Sequence, residues 1–150
     1  MKPVFQTKTG KYGNCMSACL ASVLELPIEM VPNFYEVIGD KDDTAQWWAA
    51  VTGFLKPFNL GITTLNFQNP DDFTRLPGIF IVAGTSPRGL CHATVWKDGA
   101  LIHDPHPDGG GVQIETVDFL YPLDPSRPPT VVTPSNRSPE DTRTAGESDS

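Results

Sequence analysis

The chain has 150 residues, 39 % hydrophobic and 19 % charged, with a net charge of −7. That composition supports one domain with a real core, and the lack of a Lys/Arg cluster excludes a phosphate backbone as partner, so no nucleic acid is expected. Three cysteines without a CxxC pair give neither a disulfide framework nor a thiolate zinc site; the longest apolar run, around Leu76 to Gly84, is too short to span a bilayer and no apolar signal region opens the chain, so a cytoplasmic protein with no membrane partner is expected.

In chain order, the first predicted helix opens with Asn14 as its N-cap, a residue type whose side-chain oxygen holds free backbone N–H groups. Met16, Cys19, Leu20, Val23 and Leu24 recur at helical spacing and form one buried stripe, Ala18 and Ala21 allow close packing on a second side, and Pro27 ends the helix. A turn is predicted from Glu29 to Phe34. A second helix is predicted from Thr44 to Leu55, with Trp47, Trp48, Val51 and Leu55 facing inward and Pro57 closing it.

The remainder reads as β. Leu60 to Phe67 is rich in Ile, Thr and Leu, and the continuous apolar run from Gly78 to Ala83 suits a central strand. His92 to Trp96 and Ala100 to Asp104 flank a hairpin signal at Lys97-Asp98-Gly99, and Val112 to Thr116 adds a short strand. Helices followed by strands, without βαβ alternation, predict an α+β fold with N-terminal helices packed on an antiparallel sheet. The folded domain is expected over residues 1–124. Residues 125–150, almost free of large apolar side chains, are expected to form a disordered tail.

Cys19 lies in the apolar stripe and reads as core. Cys91 precedes His92, so strand alternation predicts that it points away from the cleft of His92 and packs in the core. Cys15 alone sits in a first helical turn, where free N–H groups and the helix dipole stabilise a thiolate, so a thiol ionising below the usual range is expected there. A two-residue turn at Asp98-Gly99 would set Asp104 opposite Ala93, on the wrong side from His92. A three-residue loop, Lys97-Asp98-Gly99 with Gly99 left-handed, sets His92 directly opposite Asp104, and this register is the one expected. Cysteine, imidazole and carboxylate then form the set that a thiol hydrolase needs.

His103 and His106 invite a metal reading, but Pro105 separates them too rigidly for a strand or helix pair, and a site would need His92 or Cys91 as further ligands. No metal and no cofactor is assigned. Gly109-Gly110-Gly111 lacks the strand-to-helix context and the Lys-Ser/Thr of a phosphate loop, and reads as a turn leading the chain away from the sheet.

Three segments resemble the papain-like cysteine peptidases, nearest the compact branch of leader-peptide-cleaving domains in bacteriocin exporters. They are Gly-Asn-Cys-x-x-Ala-Cys-Leu-Ala at 13 to 21, His92-Ala93-Thr94-Val95 and Asp104-Pro105. Small papain-like proteins of bacteria and their phages, with Gln-Thr near the start and Gly-Asn-Cys soon after, look similar too. The resemblance covers Gln6 to Pro105 and implies Cys15 as nucleophile, His92 as base and Asp104 as the orienting acid. It also implies Gln6 as an oxyanion donor beside the Cys15 backbone N–H, although the family places its Gln nearer the Cys. Asn14 is the alternative donor. The implied activity is cleavage of a peptide, isopeptide or amide bond in a peptide or protein substrate through a Cys15 thioacyl intermediate. The superfamily also implies two alternatives, a thiol acyltransferase or deamidase and an inactive papain-like binding module.

Overall fold

The computed structural model describes residues 1–39, 43–67 and 69–128. Three helices, α1 (Cys15–Leu24), α2 (Phe34–Ile38) and α3 (Thr44–Leu55), precede a sheet of β1 (Leu60–Asn66), β2 (Ile79–Thr85), β3 (Cys91–Lys97), β4 (Ala100–His103) and β5 (Gln113–Pro122). Short 3-10 turns occupy Ile28–Met30, Lys56–Phe58 and Pro70–Arg75. The five strands run β1-β5-β2-β3-β4, every neighbouring pair antiparallel, so the fold is α+β and the apolar β2 is its central strand, as its composition predicts.

α1 is the axis of the molecule. The expected stripe, with Val23 only partly covered, and the close-packed second side at Ala18 and Ala21 are both buried, and Ser17 and Ser22 are buried with them. β3 covers one side through Ala93 and Val95, and Phe34, Val51 and Leu55 of the other helices complete the same cluster. The small and hydroxylic residues fit because their polar atoms bond locally: Ser22 Oγ donates to Ala18 O, and Ser17 Oγ donates to Pro32 O. The opposite face of the sheet carries a second cluster around Phe73, Phe80, Val82 and Val117.

Several expectations need correction. α2 replaces the end of the predicted turn: Asn33, just after Pro32, accepts the Tyr35 N–H and starts a helix too short to show periodicity. β5 runs on to Pro122 and lies between β1 and β2, well beyond the strand expected to stop at Thr116. The hairpin closes with the two-residue turn, Asp98 and Gly99 both at positive φ (52° and 82°), which pairs Lys97 with Ala100 and Trp96 with Leu101. The next pair is Val95 with His103, so Ile102 is an extra residue, a β-bulge. The first residues of the expected tail, Pro125 to Arg127, form with Asp124 a turn on the body: Asn59 Nδ2 donates to the Asp124 and Arg127 carbonyls and Asn59 Oδ1 accepts the Asp124 N–H. Residues 129–150 lie outside the described residues.

Candidate active site

The bulge sets the site. Strand alternation places Val95 and His103 on one face, so Asp104 falls on the other, with Thr94 and His92. His92 Nε2 and Asp104 Oδ1 are 2.7 Å apart, their side chains only 5 % and 9 % exposed. Three further groups fix the pair. Asp104 Oδ1 accepts the His106 N–H, Asp104 Oδ2 accepts the Gly111 N–H, and the His106 ring packs edge-on against His92. Gly109, Gly110 and Gly111 all have positive φ. Rather than leading the chain away, this run turns it back onto Asp104.

Burial alone would raise the Asp104 carboxyl, but the hydrogen bonds from His92, His106 and Gly111 overcome it and hold the group below its usual range. An ionised Asp104 accepts only, so Nε2 of His92 carries the hydrogen and Nδ1 keeps the lone pair. Burial lowers His92 below its ordinary 6.5 despite the pull of Asp104, so the ring is a neutral base at neutral pH.

Cys15 opens α1 and, with Cys91 and His92, borders two cavities, of about 270 and 340 Å³. The nearby backbone N–H groups of Ala93, Met16 and Cys15 itself favour a thiolate at its sulfur. These do not offset desolvation, which pushes the thiol up to about 11, so the expected low-pKa thiolate is replaced by a buried neutral thiol. Cys91 is also misread by alternation: it is exposed and lies on the rim with His92, at the start of β3 where the ladder ends.

Gln6 lies in the second cavity with Cys15 and His92. Its backbone N–H donates to Pro105 O, its Nε2 donates to Lys8 O, and its buried Oε1 has no partner among the described residues. The long Gln6-to-Cys15 spacing is taken up by a loop that Asn14 ties. Asn14 Oδ1 accepts the N–H of Thr7 and of Lys8, and its Nδ2 donates to Thr7 Oγ1. The Asn14 side chain therefore ties this loop instead of capping α1, and it borders neither cavity. At Gly13 an added Cβ would meet Gly10 O and Lys8 O at 3.0 Å, so any larger residue would have to push the loop apart beside Gln6.

The two other histidines have other duties. His103 Nε2 donates to Val4 O and His106 Nδ1 accepts the Asp108 N–H. Sequence reading missed Asp118, a buried carboxyl on β5 that borders the smaller cavity and accepts a hydrogen bond from Thr64 Oγ1 at 2.6 Å. Its signal was a lone acid inside the apolar run Val117-Asp118-Phe119-Leu120. No family model, curated protein or solved structure matches the chain.

Proposed function

We propose that this protein is a cysteine hydrolase that cleaves a peptide or amide bond through a thioacyl intermediate on Cys15, with the chemistry of the papain-like peptidases. The observation that carries the reading is the buried 2.7 Å His92–Asp104 pair, with His92 bordering the same cavities as a cysteine at a helix start that comes from a segment far from their hairpin.

In this reading His92 Nδ1 takes the Sγ proton as sulfur attacks the substrate carbonyl carbon. Both partners begin neutral, so proton transfer accompanies attack instead of preceding it. The oxyanion is met by the Cys15 N–H and by the second Nε2 hydrogen of Gln6, the first being bound to Lys8 O. Collapse of the intermediate breaks the C–N bond, and the amine leaves with the proton held by His92. Water, deprotonated by His92, then attacks the thioester, releasing the acid and restoring the thiol.

A peptidyl acyloxymethyl ketone tests this reading: it should form a covalent adduct at Cys15, located by mass spectrometry, that is absent from Cys15→Ala. His92→Ala should slow labelling about 100-fold or more, and Asp104→Asn about 10-fold. The rate should rise with pH as His92 loses its proton, with a midpoint below 6.5. Burial of the Cys15 thiol favours the alternative of an inactive binding module, and the absence of any adduct would decide for it.

A further inference from the structure

The smaller cavity lies between the helix-facing side of the sheet and the helices. Ala83 and Ala93 leave the space, Met16, Trp47 and Trp48 wall it, and Asp118 borders it from β5. Asp118 is 2 % exposed and has no ion-pair partner among the described residues; its bond is to the Thr64 hydroxyl, across the strand pair. Among the described residues no lysine or arginine borders the cavity, whereas a second carboxylate, Asp43, does. A buried carboxyl without a cation is unfavourable in an apolar setting when it is ionised. Trp47 adds a second unmet group, because its indole N–H is buried and without a partner among the described residues. Apolar aromatic walls with one carboxyl suit a chain that is aliphatic along its length and cationic at its tip. At about 270 Å³ the space holds one side chain, not a whole cofactor.

We propose that this cavity is the specificity pocket of the enzyme and receives a lysine or arginine side chain of the substrate, whose cationic tip pairs with Asp118. The proposal rests on the hydrolase reading for Cys15, which borders the same cavity. The substrate class is then a basic peptide or protein, and the net charge of −7 favours its approach. A carboxyl retained only as a partner for Thr64 would be replaced by Asn without consequence, and this separates the two roles.

The test uses the full chain and matched dipeptidyl acyloxymethyl ketones carrying lysine or norleucine at the first or second residue before the electrophile. Lysine should label Cys15 at least tenfold faster than norleucine at one of the two positions, and Asp118→Asn should reduce that ratio to less than twofold. Equal rates at both positions in the wild type, or a preference kept in Asp118→Asn, would overturn the proposal. Tryptophan fluorescence of the same protein, titrated with N-acetyl-lysine methylamide and its norleucine analogue, reads the pocket without the chemistry. If no probe labels Cys15, the hydrolase reading fails. The pocket then stands if the lysine amide binds at least tenfold tighter, and falls if the two amides bind alike.

Discussion

At the scale of single residues, the three thiols are sorted by desolvation more than by the helix dipole. The dipole and free N–H groups at a helix start favour a thiolate by about 0.3–1 kcal/mol. Moving a thiol from 9.0 to about 11, as burial does at Cys15, corresponds to about 3 kcal/mol against the thiolate, so burial wins. Cys91 is exposed on the rim, and burial raises its thiol too. Iodoacetamide at pH 7.5 should therefore modify Cys91 before Cys15, with Cys19, fully buried in the core, last. A substrate-like electrophile should reverse the order and modify Cys15 first, because it brings the reacting carbonyl to the sulfur beside His92. Peptide mapping after partial labelling reads both orders, and iodoacetamide labelling of Cys15 ahead of Cys91 would show that burial does not govern the thiol. Residue types and spacing pointed to Cys15, His92, Asp104 and Gln6, and the structure pairs His92 with Asp104 and sets Gln6, Cys15 and His92 around one cavity. Types and spacing were not enough to place Cys91, because alternation describes a side chain inside a ladder and Cys91 stands at its end.

At the scale of elements, the site depends on the register of one hairpin. The sequence pairs His92 with Asp104 only through a three-residue turn, yet the chain makes the two-residue turn and restores the parity further along with the bulge at Ile102. The pairing was legible, and the route to it was not, because a bulge has no signature in an alternating pattern of four residues. Deleting Ile102 removes the bulge yet leaves His103 opposite Val95, because the deleted residue is the unpaired one, so Asp104 keeps the face of Thr94 and His92. The deletion variant should therefore still label at Cys15 with the acyloxymethyl ketone at close to the wild-type rate. Ile102→Ala should label like the wild type too, since the side chain is 41 % exposed and contributes little packing. A large loss of labelling in the deletion variant alone would show that the bend of the bulge, and not the register beyond it, sets the pair. The second bulge, where β5 passes Gly84, works at the same end of the sheet. A Cβ there would lie 1.8 Å from Gln113 O, so the close approach of the strands admits only glycine.

At the scale of the whole molecule, two devices govern stability. The first is the Asn59 clamp: buried and left-handed at φ 60°, Asn59 bonds Asp124 and Arg127 from the far side of β1. Composition concealed it, because a Pro- and Ser-rich segment carries no apolar residue to mark its docking. A chain ending at Leu123 should lose about 1–3 kcal/mol, seen as a lower Tm, since the buried Asn59 amide then lacks its partners. A chain ending at Pro128 keeps them and should melt like the full chain, and equal melting of both truncations would show the clamp to be idle. The second device is the set of buried ionisable groups, which fixes the pH range of stability. His92 and Asp104 have folded pKa values below the ordinary 6.5 and 3.8, so the stability they contribute is complete above those values and is lost as pH falls through the folded ones. Asp118 is shifted upward by burial, so its contribution has the opposite sign: present in acid, lost as pH rises through its folded pKa. Cys15 and Cys19 are both raised by burial, so their contribution is complete below 9.0; for Cys15 it is lost as pH approaches about 11. Stability should therefore plateau between about pH 6.5 and 9 and decline on the alkaline side, with Cys15 alone accounting for about 3 kcal/mol of that decline. Cys15→Ser, which removes the titrating thiol at nearly constant size, should flatten the alkaline limb in urea unfolding measured from pH 8 to 11. An unchanged limb in this variant would mean that Cys15 ionises in the folded protein as readily as in the unfolded chain, and the buried neutral thiol would have to be abandoned.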